Sequence, residues 1–173
     1  MHVPHSVIQT VRNGNSVKRW HTRRMLTTDT VGEHTANVLI ILLMIHPNPS
    51  KSLIYATLLH DTAEQWTGDV PATAKWQSPQ LKGACDELET QMLADNYLTI
   101  PHLTDEEALT LKWADMLDLL YRCLDEIELG NSTMREVFDR GINYLRTLKE
   151  HKQGLILLEN LIKERKYVAK SYV

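Results

Sequence analysis

The chain has 173 residues, enough for one domain with a substantial core and too few for two comfortable ones. Its 43% hydrophobic and 24% charged content and its formal charge of −3 are ordinary for a globular protein and carry no nucleic-acid or membrane signature. Cys85 and Cys123 lie far apart with no CxxC spacing, which argues against a disulfide framework or a thiolate zinc site and fits a reducing cytoplasm. The N-terminus MHVPHSVIQTVRNG lacks a signal-peptide apolar core, and the longest apolar run, VLIILLMI at 38–45, is too short to span a bilayer. The expectation is a soluble cytoplasmic protein without a membrane partner.

Apolar residues recur at three and four spacing throughout, with no sustained alternation, so the predicted class is all-α. A short first helix is expected from Ser6 to Arg12, stopped by Asn13-Gly14-Asn15 and followed by the basic segment KRWHTRR. Thr30 and Glu33 have capping-box spacing and open a second helix that Pro47 ends after His46. A third is expected from the Pro49-Ser50 cap to about Trp66, with Gly68 as its stop and GDVPATAKWQSP as a loop. Ser78-Pro79 starts a fourth through about Tyr97, and Thr104 with Glu107 opens a fifth that ends near Gly130. One or two further helices, broken near Gly154, complete the chain. No internal repeat or low-complexity linker is present.

If residues 58–69 remain helical to Trp66, His60, Asp61 and Glu64 project within about 100° of arc and share one polar corner. A solvated helix end would look the same. His34 sits in the first turns of the preceding helix, beside Val38, Leu39, Ile41, Leu42 and Ile45, where a histidine is either a satisfied core residue or a ligand. Asp115 lies among Leu111, Trp113, Met116, Leu119 and Leu120, where an unpaired carboxylate is costly to bury. It either pairs with Lys112, is exposed along with Asp118, or supplies a fourth ligand. Two imidazoles and two carboxylates suit a divalent transition metal such as Zn, Mn, Fe or Co, with positions left for water and substrate.

In the order His34, His60-Asp61, Asp115, these residues resemble the H…HD…D signature of the HD-domain phosphohydrolases. Lys18-Arg19-Trp20, TVGEHT at 30–35, HDTAEQWTGDVP at 60–71 and KWADMLDLL at 112–120 resemble successive blocks of the bacterial 5'-deoxynucleotidases and of the short phage dATP triphosphohydrolases. The resemblance covers about residues 15–130 and implies a single helical HD domain over 1–173, with a metal site between core helices and further helices over about 131–173.

It implies that His34, His60, Asp61 and Asp115 bind one divalent metal (Zn, Co or Mn), with Mg or another divalent ion a candidate on the substrate phosphates. Glu64 would steer the catalytic water or exchange its proton, and Asp69, otherwise a turn residue after Gly68, would position that water or the leaving sugar oxygen. Arg19, Lys75 and Lys112 would meet phosphate oxygens, and Trp20 would pack against the sugar and leave no room for a 2'-hydroxyl. Family members self-associate, so a homo-oligomer is expected. Trp66, Trp76 and Trp113 are assigned to packing, and His2, His5, His46, His102 and His151 receive no catalytic role. The terminal run IKERKYVAKSYV reads as a solvated helix face and tail.

The resemblance leaves two enzymatic readings, both involving attack at the α-phosphorus of a deoxynucleotide. One is a dATP triphosphohydrolase releasing deoxyadenosine and triphosphate, in the host cytoplasm if phage-encoded; the other is a 5'-deoxynucleotidase releasing phosphate from dNMPs. The short chain, and PATAKW where the bacterial enzymes carry Pro-Thr-Pro, favour the first. A third reading, a helical nucleic-acid-binding module using KRWHTRR, leaves the four candidate ligands unexplained, so no stable nucleic-acid partner is expected.

Overall fold

The computed structural model describes residues 4–170, without the side chains of residues 76 and 164–170. Helices form α1 (His5–Asn15), α2 (Val31–Ile45), α3 (Lys51–Leu59), α4 (Glu64–Thr67), α5 (Ala72–Gln77), α6 (Pro79–Asp95), α7 (Asp105–Glu128), α8 (Met134–Thr147) and α9 (Lys152–Lys170). Among the described residues the fold is all-α, and the β-pairing is one isolated antiparallel bridge between Lys18 and Thr30. No described helix is long and apolar enough to cross a membrane. The reading of 162–173 as a solvated face and tail, and the assignments of Trp76 and His2, fall wholly or largely outside the described side chains.

The local signals at α2 and α7 act as expected. Thr30 accepts from Glu33 N while Glu33 accepts from Thr30 N at 2.9 Å, and Thr104 with Glu107 repeats the arrangement. Each box satisfies donors that the first helical turn leaves without partners. Packing then fixes the helices. The long α7 lies against α2, α3, α8 and α9, burying Trp113, Leu117, Leu120 and Cys123 with Val38, Leu42, Leu53, Phe138, Leu145 and Leu161. A smaller apolar cluster of Val7, Leu59, Ala63, Leu93 and Leu98 joins α1, the end of α3 and α6.

Four sequence expectations need correction. First, α1 continues through Asn13-Gly14 to Asn15, because Gly14 serves a close approach: a Cβ there would lie 2.7 Å from the Thr62 carbonyl oxygen. Second, the third helix does not run unbroken to Trp66. After Leu59 the amides of Thr62, Glu64 and Trp66 bond three residues back, so the chain tightens through 60–63 before the short α4. Third, α5 occupies part of the stretch expected as a loop. Fourth, the last break falls at 148–151 and Gly154 lies inside α9, where a Cβ would meet Trp113 Cε3 at 2.6 Å.

Candidate metal centre and substrate cleft

His34 enters the centre from α2 and is almost fully buried. Its Nδ1 lies 2.6 Å from Asp118 Oδ2 on α7. His60 stands at the end of α3, where its Nδ1 lies 2.7 Å from the Thr57 carbonyl. A carbonyl can only accept, so Nδ1 of His60 carries a proton, and the Asp118 carboxylate favours the same for His34. Both rings therefore turn Nε2 inward, and these two atoms are 3.2 Å apart. Asp61 Oδ2 lies 3.4 Å from each, and Asp115 Oδ1 lies 3.4 Å from His34 Nε2.

With both rings neutral, the two facing Nε2 lone pairs would repel. A shared proton or a metal cation between them removes the conflict. Ligand atoms about 2.0–2.1 Å from a tetrahedral metal are about 3.3 Å from each other, the separation seen here. Among the described residues, His34, His60 and Asp61 are the group whose donor atoms all lie within 4.8 Å of one another, with Asp115 beside His34. The donor set thus fits a divalent metal.

The electrostatics point the same way. Burial lowers the His34 pKa, but hydrogen bonding to Asp115 and Asp118 outweighs it and raises the value to about 9. Burial would raise Asp61 and Asp115, yet both are held low. Charges on His60, Arg19 and His34 act on Asp61, and Lys112 and His34 act on Asp115, which ends well below the usual carboxylate range. The cluster attracts positive charge.

Glu64 opens α4 beside this centre, is buried, and its Oε2 has no hydrogen-bond partner. Burial, with the negative charges of Asp61 and Asp69, raises its pKa to about 9. The tightened chain at 60–63 aims these residues, and the continuous helical arc expected from the sequence does not apply. Asp69 follows Gly68, whose φ of 70° turns the chain away from α4. Its Oδ2 accepts from Trp20 N at 3.0 Å.

Trp20 has a φ of 60°, a conformation that costs a bulky residue about 1–3 kcal/mol unless its surroundings enforce it. The enforcing contacts are visible: Asp69 takes its amide, and Asp29 Oδ2 accepts from its indole Nε1 at 3.1 Å. Arg19 Nη1 donates to Asp61 Oδ2 at 2.8 Å, and its Nε lies 3.6 Å from Asp29 Oδ2. Arg19, Trp20 and Asp69 line a cavity of about 500 Å³, closed on other sides by Pro71, Met116 and Leu119.

The two lysines are spoken for. Lys75 on α5 lies 3.4 Å from Glu89 Oε1 and acts electrostatically on Glu64, whereas Lys112 donates to Asp115 Oδ2 at 2.8 Å. Asp115 thus pairs with Lys112 through one oxygen and faces His34 with the other, outside the group of three whose donor atoms all converge. Sequence reasoning missed Asp118 as the support of His34, Asp29 as the partner of Arg19 and Trp20, and Glu89 as the partner of Lys75. Asp118 alone left a usable signal, its position three residues after Asp115 on the same helix face.

The sequence matches the family model described as 5'-deoxynucleotidase YfbR-like over residues 6–163. The chain belongs to that family. A 5'-deoxynucleotidase of Cronobacter sakazakii is 29% identical to this YfbR-like chain over 140 residues, 67% of the chain and 70% of the relative. The 5'-deoxynucleotidase VV1113 of Vibrio vulnificus is 25% identical over 139 residues, 66% of the chain and 71% of the relative. An HD-domain phosphohydrolase of Listeria innocua superposes with a TM-score of 0.74 at 20% identity, covering 93% of the chain and 88% of its own. The cyanophage S-2L HD phosphohydrolase DatZ, solved bound to dA and one catalytic Zn2+ ion, gives a TM-score of 0.69 at 16% identity over 96% of the chain and 98% of its own. These superpositions establish the HD-domain fold, and with the family match this YfbR-like chain is an HD-domain phosphohydrolase.

Proposed function

We propose that the protein is a metal-dependent 5'-deoxynucleotidase, hydrolysing deoxynucleoside monophosphates to deoxynucleoside and phosphate. The observation that carries this reading is the convergence of His34 Nε2, His60 Nε2 and Asp61 Oδ2 at 3.2–3.4 Å, in a chain of the YfbR-like family. His34, His60, Asp61 and Asp115 hold the metal, for which the donor set favours zinc, with cobalt and manganese as alternatives. Bound there, a divalent cation supplies Lewis-acid polarisation of the phosphoryl group and lowers the pKa of the attacking water.

The chain's own residues do the rest. Glu64, buried with one oxygen unpartnered, orients that water or exchanges its proton; the charge of a bound cation would lower the raised Glu64 pKa toward the range where it can act as a base. Arg19 lines the cavity and pairs with phosphate oxygens, while Lys75, beside Glu89, and Lys112, on Asp115, supply further positive charge for phosphate. Asp69 holds the Trp20 backbone and positions the leaving sugar oxygen. Trp20 forms the wall that leaves no space for a 2'-hydroxyl. The packing of α7 against α2, α3, α8 and α9 supports reading the described residues as one domain. Exposed Ile40, Leu43 and Met44 on α2 support a homo-oligomer.

The sequence leaned toward a dATP triphosphohydrolase, and the relatives' names favour the monophosphatase instead. Charge does not separate the two readings: Arg19, Lys75 and Lys112 are each matched by a carboxylate, but Arg23 and Arg140 also line the cavity. The triphosphohydrolase remains the second reading on the altered PATAKW stretch, which forms part of the cavity wall.

The test is incubation of the metal-loaded protein with dAMP, dGMP, AMP and the four dNTPs, with products resolved by chromatography. Phosphate release from several dNMPs is expected; deoxyadenosine with triphosphate from dATP alone would transfer the assignment to the second reading. In the same assay Asp61→Ala is expected to lose metal and turnover together. Glu64→Gln keeps its metal and loses about 10²–10⁴ in kcat, and wild-type turnover in either variant would overturn the residue's assigned role.

A further inference from the structure

The segment that carries Arg19 and Trp20 is a closed loop. Its base is tied where Val31 N donates to the Val17 carbonyl at 2.9 Å and Arg19 N donates to the Asp29 carbonyl at 3.0 Å. Its far side is tied to the C-terminal end of α7 through one carboxylate. Glu126, with no solvent exposure, accepts from Leu26 N at 2.8 Å, Thr27 N at 2.9 Å, Thr27 Oγ1 at 2.8 Å and Asn131 Nδ2 at 2.8 Å. Asn131 Nδ2 also donates to the Arg24 carbonyl at 3.0 Å, and Arg122 Nη2 donates to the Thr27 carbonyl at 3.0 Å and the Thr28 carbonyl at 3.2 Å. Four closely spaced tie points, Arg24, Leu26, Thr27 and Thr28, therefore hang on two side chains of α7 and one that follows it.

A buried carboxylate with this many donors is a rigid anchor, because replacing one of its oxygens by an amide leaves two of these donors without an acceptor. What it anchors is strained. Trp20 keeps its positive φ only while neighbouring structure enforces it, and Asp29, which holds the indole, directly follows the tied residues.

We infer that Glu126 is a positioning residue that sets discrimination against ribonucleotides by fixing the loop whose Trp20 walls the sugar site. The inference rests on the reading of Trp20 as that wall. With the clamp released, Asp29 shifts, the indole loses its fixed orientation, and space opens for a 2'-hydroxyl. None of the candidate metal ligands lies in the loop, whose one direct tie to them is Arg19, donating to Asp61 Oδ2 at 2.8 Å.

The experiment measures kcat/KM for dAMP and AMP on the metal-loaded enzyme, for wild type, Glu126→Gln, Trp20→Ala and the double variant. Glu126→Gln is expected to retain wild-type metal content while its dAMP-to-AMP ratio of kcat/KM falls about tenfold. The double variant is expected to discriminate no worse than Trp20→Ala alone, as two changes acting through one wall would. Should Glu126→Gln yield no soluble protein, Thr27→Val, which removes one hydroxyl from the clamp, carries the test with a smaller loss of the same ratio. A ratio held at the wild-type value in the clamp variants, while Trp20→Ala lowers it, overturns the inference. A ratio unmoved by Trp20→Ala would instead overturn the reading of the wall.

Discussion

Each imidazole of the metal centre has one nitrogen committed to the protein, and the two commitments differ in kind. The Thr57 carbonyl fixes the His60 tautomer, whereas the Asp118 carboxylate also makes His34 a stronger electron donor. Asp118→Asn is therefore expected to weaken divalent-metal binding by about 10–100-fold, read by titration in metal-buffered solution. Wild-type affinity would show that Asp118 merely holds a ring in place. At this level the sequence displayed the candidate ligands and concealed their supports. His34, His60, Asp61 and Asp115 could be picked out because residue type and order carry chemistry. A backbone carbonyl such as that of Thr57 leaves no trace, since every residue has one, and Asp29 becomes meaningful only once the chain has folded it onto Arg19 and Trp20.

Helix starts were legible for a local reason. Thr30 with Glu33 and Thr104 with Glu107 need only their own turn to act, so spacing alone identifies them. The glycines were misread because their reason is tertiary. Gly14 and Gly154 lie inside helices at points where another element comes too close for a Cβ. Helix propensity alone would favour Ala at position 14 by about 1 kcal/mol, but the clash with the Thr62 backbone outweighs it. Gly14→Ala is expected to lower stability by about 1–3 kcal/mol in denaturant unfolding. It should also depress kcat, because Thr62 stands between Asp61 and Glu64. A stability equal to wild type or greater would refute the close-approach account. The break after Leu59 was equally hidden, because His60 takes up the Thr57 carbonyl through its side chain.

At the scale of the whole molecule, the carboxylate that clamps the loop also couples stability to pH. Burial would raise the Glu126 pKa, but bonds from Asn131, the Leu26 and Thr27 amides and the Thr27 hydroxyl outweigh it and hold the group at about 2. A carboxyl depressed in the folded state contributes stability that is complete above its unfolded value of 4.5 and is lost as pH falls through about 2. Wild type is thus expected to exceed Glu126→Gln by about 1–3 kcal/mol at neutral pH. That gap should narrow between about pH 4.5 and 2, as measured by denaturant unfolding across the range; a constant gap would mean that Glu126 does not titrate there. The helix that carries Glu126 also carries Asp115, about 16 Å away along its axis at 1.5 Å per residue. Under the proposed function, one rigid rod serves as a ruler between the reacting phosphate and the gate that inspects the sugar. Inserting a single residue between the two would turn one end against the other by about 100°. Chemistry and selectivity here share a mechanical phase, and drift in either is constrained by the pitch of α7.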